Sequence, residues 1–259
     1  LVPSDKPQQQ GGSMPLRTGD IEKLRIGEFR SDEGVLPRAL SLAIDGAGRV
    51  GMDGGTTQLS VQPLDGNGDQ LSADLQWSDD FRLLGNLQLD GPAGGLFASL
   101  ARLDEGQSIS ATIDANGELL DWRADADVLI DAENAFALEA SAEGQTINFD
   151  ATIHPALHPL TASVAETLGD TLDINGKLMR DGKTPVLDVT ANAEGLELNA
   201  LANQTDNGGY NAVIKLIADN PSRYAKQDNI NVGQAVIDGN LAYSEGTARF
   251  DGEVSAANV

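Results

Sequence analysis

His154 and His158 are the only histidines in the chain and stand four residues apart. On a helix that spacing puts both rings on one face, where they could share a metal ion. Each directly precedes a proline, Pro155 or Pro159, which turns its backbone away from the α conformation. The glutamate partner of a zinc-protease motif is missing, so the pair reads as turn residues at a helix start. Asp65, Asn67 and Asp69 in "DGNGD" resemble the opening of a calcium loop. Such a loop needs glycine at its sixth place and glutamate at its twelfth, and here those are Gln70 and Gln76. A hairpin turn accounts for the same residues. "GAGRVG" (46–51) lacks both the spacing and the following helix of a dinucleotide loop, and its glycines read as a bulge or bend in a strand. The serines have no usable histidine partner, and the carboxylates fall in turns and on polar faces. With no cysteine, there is no thiol nucleophile, disulfide or thiolate metal site. Neither an enzymatic activity nor a cofactor or metal is expected.

Charge narrows the classes further. The 259 residues hold 17 Lys plus Arg against 40 Asp plus Glu, a formal net charge of −23. Such a surface repels phosphate backbones, so nucleic acid is excluded as a partner. Aromatic residues are 4% of the chain, too few for stacking platforms. No stretch approaches eighteen consecutive apolar residues, the least a membrane-crossing helix requires.

The elements that position the remaining side chains show in the hydropathy pattern. From about residue 20 onward, apolar residues recur at every second place, as in Leu71/Ala73/Leu75/Trp77, Ile147/Phe149/Ala151/Ile153 and Tyr210/Ala212/Ile214/Leu216. Period two means strands with one apolar and one wet face. Turn residues such as "DGAG", "DANGE", "AEG" and "RDGK" punctuate them about every ten residues. The spacing predicts some fourteen or fifteen strands joined as an antiparallel meander. Three segments break the rhythm and predict short helices: 91–103, with Leu96, Phe97, Leu100 and Leu103 at helical spacing; 154–169, with Leu160, Val164 and Leu168 on one stripe and Gly169 as its stop; and 218–227, behind Asp219 or Asn220. They read as connectors, or as covers for an edge or mouth of the sheet. Residues 1–19 read as a flexible linker and 20–259 as one repeated-strand segment of a longer protein.

A sheet this large must hide its apolar face. Two sheets can pack on each other as a dry sandwich, or successive coils can stack as a solenoid. Alternatively, one long sheet can curl into a trough, a β-taco, that accommodates apolar cargo. Many inward places are small: Ala111, Ala124, Ala126, Ala140, Ala191, Ala200 and Ala202. Small residues fill a dry core poorly but leave room for a ligand, which favours the trough, about 65 Å long at about 4.8 Å per strand. Withdrawing a sixteen-carbon chain from water there is worth on the order of 12 kcal/mol, at about 0.8 kcal/mol per methylene. Candidate groove residues are Leu40, Leu42, Ile44, Leu71, Leu75, Trp77, Ile113, Trp122, Val128, Phe136, Phe149, Ile153, Ile174, Val189, Ile214 and Phe250. The dry alternative implies a structural or adhesive β-repeat domain of a surface protein.

The segment 87–130 resembles the TamB family, part of the AsmA-like group, and its α-proteobacterial branch in particular. In that family a strand ends in D-x-P-A-G-G-L, a short leucine-rich helix follows, and an alternating strand leads to G-x-L-x-D-W-x-A. The matching residues are Asp90, Pro92, Ala93, Gly94, Gly95 and Leu96, then Gly117, Leu119, Asp121, Trp122 and Ala124. Residues 14–29 and 154–178 are similar to the family's linker-and-strand and to its next helix and strand. The resemblance implies a periplasmic β-taco anchored to the inner membrane by an N-terminal helix outside this segment. It implies phospholipid carried between the inner and outer membranes, support of outer-membrane assembly, and an outer-membrane barrel partner, TamA, met by other regions. It implies no catalytic residue.

Overall fold

The computed structural model describes residues 19–31, 40–51, 54–64, 66, 68–78, 82–180, 184–205, 208–221, 224, 233–244 and 246–257. Among these residues fifteen strands follow one another in a single sheet whose spatial order is the chain order. They are β1 (Gly19–Ser31), β2 (Leu40–Gly51), β3 (Gly54–Pro63), β4 (Gln70–Ser78), β5 (Leu83–Gly91), β6 (Ile109–Glu118), β7 (Asp121–Ile130) and β8 (Glu133–Glu143). The second half adds β9 (Thr146–Ile153), β10 (Leu172–Met179), β11 (Val186–Ala193), β12 (Leu196–Gln204), β13 (Tyr210–Asp219), β14 (Gln234–Ser244) and β15 (Thr247–Ala257). Every neighbouring pair is antiparallel, and β1 and β15 do not close on each other. The fold is therefore an all-β meander in one open sheet, about 67 Å along its hydrogen-bonding direction at about 4.8 Å per step. Among the described residues there are neither the two sheets of a sandwich nor the coils of a solenoid. The predicted linker, apart from Gly19, and half of the predicted helix at 218–227 lie outside the described residues, and Ala218 and Asp219 of that segment belong to β13.

Strand β1 does not alternate in sequence, yet it joins the sheet. Two bulges, between Ile21 and Leu24 and between Ile26 and Phe29, each add one residue to β1 against β2. They bring Ile21, Leu24, Ile26 and Phe29 opposite Gly48, Gly46, Ile44 and Leu42, all on one face. The "GAGRVG" glycines are thus regular strand residues, and the irregularity sits across from them. On the other face Arg30 Nε and Ser41 Oγ donate to Glu28 Oε1 at 2.6 and 2.8 Å, which lowers the Glu28 carboxyl below its ordinary value.

Because each strand reverses, the connections leave alternately from two rims. One rim carries α1 (Leu96–Leu100) between β5 and β6 and α2 (Ala162–Leu168) between β9 and β10. On the other, two-residue turns at 119–120 and 144–145 join β6 to β7 and β8 to β9. The helix predicted over 91–103 shrinks to five residues, because Arg102 turns to φ 58° and ends it. The one predicted over 154–169 divides into a single 3₁₀ turn, Pro155–Leu157, and α2, with Pro159 between them. The expected stripe on it is not buried: Leu160 is 60% and Val164 41% exposed. Gly169 does stop α2, with φ 85° and its N–H donating to Ala165 O.

Candidate functional site

Cross-strand partners in a sheet share a face, so the register traces which side chains assemble. From Ile44 the partners run Val61, Leu71, Leu89, Ala111, Val128, Phe136, Ile153 and Leu172. The next row runs Leu59, Ala73, Leu87, Ile113, Ala126, Leu138, Ala151, Ile174, Ala191, Leu198, Leu216, Ile237 and Val254. A third holds Leu75, Gly85, Ala115, Ala124, Ala140, Phe149, Gly176, Val189, Ala200, Ile214, Gly239 and Gly252. A fourth contains Trp77, Leu83, Trp122, Ile147, Leu178, Leu187, Leu241 and Phe250. The result is one uninterrupted apolar face from β1 to β15.

The candidate residues all belong to it, apart from Leu40, whose side chain lies outside the described residues. None of the others is buried. Leu75, Ile113 and Phe250 are exposed, at 40%, 44% and 44%, and the rest are half-buried. A dry sandwich core would have hidden these side chains; here they line an open surface. Sequence reasoning missed Leu83, Leu87 and Leu89 of β5 and Ile237 and Leu241 of β14. Apolar doublets, Leu83–Leu84 and Val236–Ile237, blur the alternation there, and only the neighbouring hairpins could have set its phase.

Three aromatic rings on this face, those of Trp77, Phe149 and Phe250, lie along it. A Cβ on Gly176 would overlap the ring of Phe149, its partner on the adjacent strand, and one on Gly55 would overlap the indole of Trp77. A Cβ on Gly239 or Gly252 would stand 2.7 or 2.6 Å from Phe250 Cζ. In each case the far end of the ring reaches sideways over a glycine instead of standing up from the sheet. Glycine in a strand leaves a notch in the side-chain layer, and the ring fills it. The face stays smooth.

The opposite face is polar and acidic. Asp114, Asp125, Glu139 and Asp150 are successive cross-strand partners on β6 to β9. Asn86 Nδ2 donates to Asp114 and Asn175 Nδ2 to Asp150. Among the described residues no group of three or more His, Asp or Glu could hold a metal ion.

At the helix-bearing rim α1 covers the end of the apolar face beside β5. Phe97 and Ala98 of α1 sit on Gly91, where a Cβ would be 2.8 Å from Phe97 Cβ and 2.9 Å from Ile109 Cγ2. Leu96, Ala98 and Ile130 are buried here. Asp69, itself 1% exposed, holds α1 down: its carboxylate accepts from the N–H groups of Leu96 at 2.8 Å and Phe97 at 2.9 Å. Asp65 and Asn67, its companions in the calcium-like motif, lie outside the described residues. His158 ties the second insertion to the first. Its Nδ1 accepts from Leu160 N–H at 3.1 Å, so Nε2 carries the proton and donates to Ala101 O at 3.0 Å. His154 Nδ1 donates to Asp170 O at 3.1 Å. Both rings are thereby engaged by the backbone.

At the opposite rim the face opens into a cavity of about 490 Å³. Trp77 and Trp122 line it with Leu83, Leu119, Ala115 and Ala124, and Arg82 and Glu118 lie among its remaining neighbours. Its lining is overwhelmingly hydrocarbon.

Comparison with protein-family models, with curated proteins and with solved structures found no match. Among the described residues no helix is long and apolar enough to cross a membrane.

Proposed function

We propose that this chain is a segment of a periplasm-spanning bridge of the TamB kind, whose apolar face carries phospholipid acyl chains between inner and outer membranes. In that reading regions outside the segment anchor it to the inner membrane and meet the outer-membrane barrel partner, TamA. The observation that carries the proposal is the apolar face itself, continuous over fifteen strands, on which none of the described candidate groove residues is buried. Exposed apolar area on that scale is a binding surface or an aggregation hazard. The charge of −23 keeps the molecule dispersed while the face remains available. A row of Ala and Gly with aromatic rings laid flat offers a smooth track, and a smooth track lets a chain slide without a deep trap.

The test is native mass spectrometry with lipid extraction on protein purified from bacteria. Co-purified phospholipid, lost when a charge is set into the face, is expected. A clean protein mass, with no uptake when liposomes are offered, would point instead to a structural β-repeat.

A further inference from the structure

The cavity at the hairpin rim differs from the rest of the apolar face, and we infer that it is a discrete holding site for one acyl chain of a zwitterionic, primary-ammonium phospholipid. The inference rests on the lipid reading above and adds a fixed position and a headgroup class. Trp77 on β4 and Trp122 on β7 stand three strand steps apart, about 14 Å. Between them the same face carries Leu83, Gly85, Ala115, Gly117 and Ala124, and of these Leu83, Ala115 and Ala124 line the cavity. Gly117 has φ 134° and directly faces Trp122, a place where a side chain would strain the backbone and strike the neighbouring strand. About 490 Å³ is within the range of pockets that enclose a small ligand.

The lip supplies the charges. Arg82 and Glu118 are the charged residues lining the cavity, one of each sign. Among the described residues neither makes an ion pair, with the other or with anything else. A guanidinium recognises a phosphate diester through paired N–H donors, and a carboxylate recognises an ammonium. A headgroup with both matches the lip, whereas a purely anionic headgroup would set its charge against Glu118.

The tryptophans make the site directly observable, because Trp77 and Trp122 are the only two in the chain. The protein is incubated with vesicles of phosphatidylethanolamine brominated along one acyl chain, then separated from them. Bromine quenches only an indole it touches. The expected result is loss of about half or more of the tryptophan emission. Ala124→Phe, which fills the cavity without adding an indole, should restore the emission while native mass spectrometry still finds lipid elsewhere on the face. Arg82→Gln should weaken quenching about fivefold or more, and brominated phosphatidylglycerol should quench less than phosphatidylethanolamine. Lipid found by mass spectrometry with no quenching, or quenching indifferent to Ala124→Phe, would overturn the holding site and leave the lipid-carrying face standing. Equal quenching by the two headgroups would overturn the headgroup assignment. Absence of lipid by both measurements would remove the site and the lipid reading together.

Discussion

The ring of Phe149 occupies the space that a side chain on Gly176 would need, across the β9–β10 pair. The two residues form one unit: the glycine makes the recess and the ring closes it. Gly176→Ala is expected to lift the ring into the open face and cost about 1 kcal/mol, the low end for overpacking because the ring has somewhere to go. Phe149→Ala, which bares the glycine, is expected to cost about 1 to 2 kcal/mol. Once the ring is gone the extra methyl no longer strikes it, so the double variant should be more stable than the sum of the singles implies, by about 0.5 kcal/mol or more. Urea unfolding of the four proteins measures the coupling. Strict additivity would show that the ring and the glycine do not share the space.

Asp69 provides a second test, remote in sequence from what it holds. Its buried carboxylate satisfies the first two N–H groups of α1. Asp69→Ala is expected to cost about 2 kcal/mol, since two buried donors lose their acceptor. Asp69→Asn keeps one acceptor oxygen and should cost less. Hydrogen exchange at Leu96 and Phe97 should accelerate in the alanine variant well beyond exchange in distant strands such as β12. Uniform acceleration throughout would mean that Asp69 supports the whole sheet rather than the covering helix. Gly95→Ala should behave similarly, because its Cβ would stand 2.7 and 2.8 Å from the two carboxylate oxygens.

The acidic row on the outer face predicts a salt response. Like charges directly opposite each other destabilise a sheet. Asp114 and Asp150 have amide donors, whereas Asp125 and Glu139 between them have no side-chain hydrogen bond among the described residues. Raising ionic strength from about 0.01 M to about 1 M shortens the screening length from about 30 Å to about 3 Å. The melting temperature should therefore rise with sodium chloride. Asp125→Lys should stabilise by about 0.5 to 1 kcal/mol at low salt and lose that advantage at high salt. Calorimetry at the two salt concentrations decides it, and a melting temperature independent of salt would refute the repulsion.

How much of this was legible in the sequence depends on the range of each relationship. Alternation such as Leu71/Ala73/Leu75/Trp77 placed strands and faces, because period two is a property of a few consecutive residues. Gly117 facing Trp122 was also within reach, since the two-residue turn at 119–120 fixes their register. Gly176 facing Phe149 was not: an eighteen-residue insertion, 154–171, separates their strands, and no local turn sets the pairing. Strand β1 escaped alternation because its two bulges absorb the extra residues, and a bulge leaves no simple periodic mark. Asp69 was read as a turn residue, since nothing near position 69 announces a helix start 27 residues away.

The sidedness of the sheet gives the sharpest functional test. Val189 lies on the apolar face between Gly176 and Ala200, whereas Val213 lies on the opposite face and is 53% exposed. Both are valines in mid-strand, so Val189→Glu and Val213→Glu introduce the same chemistry on opposite surfaces. The small neighbours of Val189 leave room for water around a carboxylate, and folding should survive with a loss of about 1 kcal/mol or less. An acyl chain lying over that carboxylate would have to strip its water, a cost of several kcal/mol. Bound phospholipid is therefore expected to fall by about tenfold or more in Val189→Glu and to stay unchanged in Val213→Glu. Equal lipid loss in the two variants would show that general charge, not the apolar face, controls binding. Unfolding of Val189→Glu alone, seen as loss of the strand signal in circular dichroism, would mean that the face is a packed interior and would end the case for a track.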